Sequence, residues 1–140
     1  MKHKFIEFIP ENLEDNTLYI SVEYKTVAHL CCCGCKNEVI TPITPTDWTL
    51  IYNGDSISLD PSIGNWDFKC RSHYWIKNNA VVWSGECSKE QIALVKRSDM
   101  INKDMYYKSN EESGGNSKKS SVTIEQGFLS KLFSWLYSKK

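Results

Sequence analysis

The stretch 25-KTVAHLCCCGCKN-37 runs a strand-like pattern straight into a knot of thiols. Four of the six cysteines, Cys31, Cys32, Cys33 and Cys35, fall within five residues. Strand alternation places His29, Cys31 and Cys33 on one face. Gly34 frees the backbone to turn, so that Cys33 and Cys35 converge on one point. A second pair of ligand types lies at 70-CRSH-73. Zinc takes four soft or borderline ligands in a tetrahedron, and two turns brought together by hairpins supply that geometry. Cys33, Cys35 and Cys70 form the core of the set, with Cys31 or His73 as the fourth ligand. The spacing also permits Cys32, Cys35, Cys70 and His73, with two-residue gaps on both sides. As free thiols these side chains are merely small buried hydrophobes. Their clustering favours a bound metal, zinc ahead of an iron–sulfur cluster, in a closed structural site. Cys87 lacks a partner and reads as an ordinary core or surface thiol.

Outward from this stretch the pattern is mainly β. The runs 17-TLYISV-22 and 25-KTVAHL-30 are rich in β-branched and aromatic residues and read as strands. Asn53-Gly54 joins 48-WTLIY-52 to 55-DSISL-59 as a hairpin, since both turn residues tolerate positive φ. Asn78-Asn79 joins 73-HYWIK-77 to 80-AVVWS-84 in a second hairpin. The prolines of 41-TPITPT-46 break regular structure, and 60-DPSIGNW-66 reads as a loop of turn formers. Ser88 and Gln91 make a capping box that opens a short helix over 88-SKEQIALVKR-97. The expected fold is a small, mainly antiparallel, zinc-ribbon-like β-domain over residues 1–106 with one short helix. The polar, glycine- and serine-rich residues 107–121 read as a flexible linker. Residues 122–140 read as a tethered amphipathic helix, with Ile124, Phe128, Leu132, Trp135 and Leu136 in a stripe.

Composition narrows the function classes. Lysine plus arginine and aspartate plus glutamate each number 17, so no broad attraction to nucleic acid is expected. The opening MKHKFIEFIPENLEDN lacks the apolar run of a signal peptide, and no stretch has the ~20 apolar residues of a membrane span. A cytoplasmic setting follows as the expectation, where clustered cysteines more often bind metal than pair as disulfides. The terminal helix carries Lys131, Lys139 and Lys140 beside Phe133 and Trp135. It either docks on a membrane surface or partner groove, or folds back on the domain.

Three further runs carry a resemblance: 44-TPTDW-48, 58-SLDPSIGNW-66 and 70-CRSHYWI-76. Together with 29-HLCCCGC-35 they resemble a family of small bacterial proteins over roughly residues 17 to 100. Its members carry H-x-C-x-C-G-C, P-S-I-G-N-W and C-x-S-H-Y motifs. The family resembles the peptidases of bacterial ubiquitination-like (Bub) operons. The resemblance implies a serine-type peptidase that trims a ubiquitin-like precursor or removes the protein from targets. It implies the ubiquitin-like protein as partner, alongside enzymes similar to E1 and E2, in an antiphage-defence setting. The family pattern does not demand cysteine at Cys32.

A serine peptidase needs a hydroxyl nucleophile, an imidazole base within reach and donors for the oxyanion. Ser62, in D-P-S-I-G-N, is the first candidate nucleophile and Ser72 the rival. Ser72 and His73 are adjacent, so on a regular strand they point to opposite faces. If Cys31 is the fourth metal ligand, His73 is free to act as base; if His73 binds metal, His29 must serve. Asp47 or Asp60 is the candidate to orient the imidazole. Trp48, Trp66, Tyr74, Trp75 and Trp83 either line a peptide groove or fill the core. The rival function from another class is a noncatalytic zinc-binding interaction module. Zinc-activated hydrolysis needs an open coordination position, against which the surplus of thiols argues.

Overall fold

The computed structural model describes residues 1–113. A compact unit spans Met1–Tyr107. Its first sheet holds β1 (Lys2–Phe5), β2 (Thr17–Ser21), β3 (Thr26–Leu30) and β4 (Glu38–Pro42), in that order. The second holds β5 (Thr49–Tyr52), β6 (Ile57–Gly64), β7 (His73–Lys77) and β8 (Ala80–Trp83), again in sequence order. All pairings are antiparallel except β1 with β2, which run parallel. Both expected hairpins form, and their turn residues Gly54, Asn78 and Asn79 take positive φ.

The two sheets share one core. Leu18, Ile20, Val27, Cys31 and Val39 from the first meet Ile57, Leu59, Ile63, Tyr74 and Ile76 from the second. Each such aliphatic side chain contributes about 1.5–3 kcal/mol on full burial. β2 is buried along its whole length. Leu18 and Ile20 face the core, while Thr17, Tyr19 and Ser21 lie under the segment that connects β1 to β2. There Ser21 Oγ donates to the Glu7 carbonyl at 2.6 Å, Thr17 Oγ1 to that of Asp15 at 3.1 Å, and the Glu14 amide to Tyr19 Oη at 3.3 Å. The N-terminal residues are thus the second cover of the first sheet.

The mainly β architecture agrees with the sequence reading, with three differences. A strand, β4, includes Thr41 and Pro42, where prolines suggested a break. Pro42 stands at its last position, where a missing donor costs least. The loop expected over 60–66 is largely strand, because β6 continues to Gly64 through an irregularity between Leu59 and Ile63. The helix is not short: α1 runs Lys89–Ser113, 25 residues, through the first seven residues of the stretch read as linker. The run 107-YKSNEES-113 contains no glycine or proline, and the breakers Gly114 and Gly115 come only after it. The capping box forms as expected, with the Ser88 amide donating to Gln91 Oε1 at 2.7 Å and the Gln91 amide to Ser88 Oγ at 3.2 Å. The rest of the linker and the helix read over 122–140 lie outside the described residues. Among the described residues no helix is long and apolar enough to cross a membrane.

Candidate active site and metal centre

The irregular stretch of β6 decides where Ser62 points. The β6–β7 ladder pairs Leu59 with Ile76, slips, and resumes with Ile63 opposite Tyr74 and Gly64 opposite His73. Ile63 and Tyr74 are core residues, 2% and 0% exposed. Their neighbours Ser62 and His73 therefore share the outer face of the second sheet. Ser62 Oγ lies 2.9 Å from His73 Nε2. This is hydrogen-bond reach between a hydroxyl and an imidazole, the geometry a serine nucleophile requires of its base.

The imidazole is held on all sides. Trp66 meets it edge to face at 4.8 Å and Trp75 lies tilted against it at 5.7 Å. Gly64 makes room for Trp66: a β-carbon on Gly64 would come within 2.3 Å of the indole. Beyond β8, the Ser84 amide donates to the His73 carbonyl at 2.9 Å. Cys87 Sγ lies 3.6 Å from His73 Nδ1. Burial lowers the His73 pKa below its ordinary 6.5, and a hydrogen bond to the Gly85 backbone partly offsets this. The ring is therefore neutral at pH 7. With its proton on Nδ1, the neutral ring would present the lone pair of Nε2 to Ser62.

The thiols assemble on the other side of β7. The sulfurs of Cys31, Cys33, Cys35 and Cys70 all lie within 4.8 Å of one another. The Sγ–Sγ separations are 3.4 Å for Cys31–Cys33, 3.9 Å for Cys31–Cys70 and 3.7 Å for Cys35–Cys70. A tetrahedron with metal–sulfur bonds of about 2.3 Å has sulfur–sulfur edges of about 3.8 Å. The four residues fit a metal ion by distance and by donor type. The hairpin knuckle that delivers three of them rests on Gly34 and Lys36, at φ +86° and +62°, and on the Gly34 amide donating to the Cys31 carbonyl at 3.0 Å. Asn37 Nδ2 donates to Cys35 Sγ at 3.3 Å, a typical outer-shell contact for a thiolate ligand.

The quartet leaves out both alternatives that spacing had offered. Cys32 lies outside it, with its Sγ 4.0 Å from Met1 Sδ. His73 is on Ser62 rather than on the thiols. Ser72 is buried beside the quartet, with its Oγ 3.0 Å from Cys31 Sγ, 3.6 Å from Cys70 Sγ and accepting from Asn65 Nδ2 at 2.9 Å. No histidine ring is among its described partners. His29 is fully buried between the sheets, with Nε2 2.9 Å from Tyr74 Oη. Burial lowers its pKa to about 4, which keeps it neutral, and its Nδ1 has no partner among the described residues. Asp47 does not reach an imidazole. Its carboxylate takes Lys103 Nζ at 2.6 Å and Thr44 Oγ1 at 2.5 Å. Burial opposes its charge, but Lys103 and Thr44 hold its pKa below the usual carboxylate value.

Sequence reasoning assigned no role to Asn65 or Gly85 and left Trp66 between a peptide groove and the core. Asn65 is a polar hub of the inner cluster. Its Nδ2 reaches Ser72 Oγ, Tyr74 Oη at 3.3 Å and Cys31 Sγ at 3.7 Å, and its amide donates to the Ser72 carbonyl at 2.9 Å. The only sequence sign of Asn65 was its place in the run 63-IGNW-66. Gly85 meets His73 through its backbone, which no side-chain pattern announces.

A mainly β domain that sets a part-buried Ser–His contact on one face of its second sheet and a four-thiol cluster on the other holds residue types that a serine hydrolase and a metal site use. The family follows from comparison. Residues 5–84 match the model of the bacterial ubiquitination-like system serine protease (BubE), and the chain belongs to that family. No curated protein and no solved structure matches the chain.

Proposed function

We propose that the protein is a serine-type peptidase that processes or removes a bacterial ubiquitin-like protein, with Ser62 as nucleophile and His73 as base. The observation that carries this reading is the 2.9 Å contact between Ser62 Oγ and His73 Nε2 on the outer face of the second sheet. Family membership supports the reaction class and the ubiquitin-like partner.

In the first half-reaction Ser62 Oγ forms a bond to the scissile carbonyl carbon while its proton passes to His73 Nε2. The Gly85 carbonyl, accepting from Nδ1–H, fixes the ring and stabilises the imidazolium, the part an aspartate plays in the familiar triad. His73 then gives its proton to the departing amine as the C–N bond breaks. Water next attacks the acyl-serine ester and yields its proton to His73. The ester bond breaks, a carboxylate leaves, and Ser62 recovers its hydrogen. Asp47 has no part, since Lys103 and Thr44 already occupy it.

Zinc is the metal proposed for Cys31, Cys33, Cys35 and Cys70. Four thiolates leave no open position, so its contribution is to stability and to the placement of β7. The same reading carries a cytoplasmic location and contact with the E1- and E2-like enzymes of the system.

The test is incubation of the purified zinc-loaded protein with the precursor of the ubiquitin-like protein encoded nearest its gene, followed by intact-mass spectrometry. One cut at the precursor's C-terminal end is expected, abolished by Ser62→Ala and retained by Ser72→Ala. No cut from a folded, zinc-loaded protein returns the assignment to a noncatalytic binding module.

A further inference from the structure

The ladder of β6 leaves one edge unpaired beside the nucleophile. On the β5 side its pairing ends at Thr49 opposite Asp60. The next β5-side amides turn elsewhere: Trp48 N donates to the Pro42 carbonyl at 3.2 Å and Asp47 N to that of Thr44 at 3.2 Å. On the β7 side, Asn65 N donates to the Ser72 carbonyl at 2.9 Å, and Ile63 stands opposite Tyr74. Main-chain groups alternate in direction along a strand. Ile63 and Asn65 therefore aim theirs at β7, while Ser62 and Gly64 aim theirs at the edge β5 has vacated. Among the described residues no backbone partner is recorded for them there.

Resting on the peptidase reading, we propose that this edge binds the substrate by strand addition. The residues flanking the scissile bond lie extended against Ser62 and Gly64 and pair with their main-chain N–H and C=O groups. Two features on the page commit the occupant to an extended polypeptide. The acceptor and donor groups stand one strand repeat apart, the spacing of an added strand. The nucleophile is itself one of the two edge residues, so a scissile carbonyl within bonding distance of Ser62 Oγ brings its own chain alongside. Recognition is then of backbone, with alternate residues of the substrate paired and those between unpaired. The Trp66 indole over Gly64 leaves least room for side chains at that end of the edge.

The test has two arms. Semisynthetic precursors carry a single backbone ester in place of each amide in turn along the residues before the cut, and kcat/KM is measured for each. Alternation is expected, with every second ester losing about five- to tenfold and the intervening ones less than about twofold. In the second arm, amide hydrogen exchange is followed in the Ser62→Ala protein with a peptide of the ubiquitin-like tail. The amides of residue 62 and Gly64 should slow at least tenfold, while that of Ile63, already laddered, stays unchanged. If the all-amide precursor is cut but the ester scan is flat and Gly64 exchange is unmoved, strand addition is overturned and the peptidase stands. If the all-amide precursor is not cut, the peptidase reading fails, and the exchange arm alone decides whether the edge takes a strand.

Discussion

Ser72 and His73 are consecutive residues that belong to different chemistries. Ser72 faces inward, against the thiols of Cys31 and Cys70. His73 faces outward, against Ser62. The pleat of one strand keeps the thiols on one side and, in the proposed mechanism, the imidazole that must stay neutral to act as base on the other. A negative quartet beside His73 would raise its pKa and hold a proton on Nε2. The two centres nevertheless share a backbone, and Asn65 ties its amide and side chain to Ser72 on the inner side while Gly64, one residue earlier, faces His73. The inner cluster fixes the strand, and the outer pair uses the position so fixed.

The sharpest way to break this division is to mutate its two neighbours. His73→Gln should lower kcat/KM for precursor cleavage by about a thousandfold or more, whereas Ser72→Ala should cost less than about tenfold. Equal losses would mean that the pleat does not separate them. The second test removes the metal site. Cys70→Ser, or a strong chelator, should lower the melting temperature by about 10 °C or more and abolish cleavage, although no ligand touches Ser62. Metal analysis of the untreated protein should find one zinc per chain.

Much of the inner cluster was legible in advance and little of the outer one. Cys31, Cys33 and Cys35 are close in the chain, so any tight turn brings their sulfurs together, and strand alternation placed His29 and Cys31 on one face, as found. Cys70 needed only a second turn. The fourth ligand stayed open between Cys31 and His73 because spacing cannot say which side of β7 a residue faces. Ser62 and His73 meet only through the register of β6 on β7, and that register contains a slip. A loop reading of 60-DPSIGNW-66, reasonable from its turn formers, hid the strand that aims Ser62. Asp47 was a sound candidate from residue type alone, and its capture by Lys103 depends on a helix docked 56 residues later in the chain. The group proposed to orient the ring is the backbone of Gly85, which carries no sequence signature.

The pH profile sharpens the comparison next. In the proposed mechanism His73 acts as base when neutral, and burial has lowered its pKa below 6.5. Activity should therefore hold as pH falls to 6.5 and then be lost through the depressed pKa, about tenfold per unit below it. Stability follows the same sign: below pH 6.5 the unfolded chain takes up the proton that the folded ring resists, so folding weakens as pH drops. An acid limb centred above 6.5 would contradict the lowered pKa of His73.

Gly64→Ala is a smaller probe of the outer pair. The added methyl collides with Trp66. A cost of about 1–3 kcal/mol in stability is expected, with kcat about tenfold lower and KM little changed, because the indole that braces His73 must move. The smallest effect belongs to Asp47, whose carboxylate is paired with Lys103. Asp47→Asn should cost about 1 kcal/mol or less in denaturant unfolding and leave kcat within about twofold, since its partner Lys103 remains partly exposed.

The most direct measurement of the central claim is the site of acylation itself. The zinc-loaded protein is treated with a serine-reactive fluorophosphonate and the adduct is located by peptide mass spectrometry. A single adduct on Ser62, lost in His73→Gln and kept in Ser72→Ala, is the result the Ser62–His73 pair predicts. An adduct on Ser72, or labelling of Ser62 that is indifferent to His73, would contradict it.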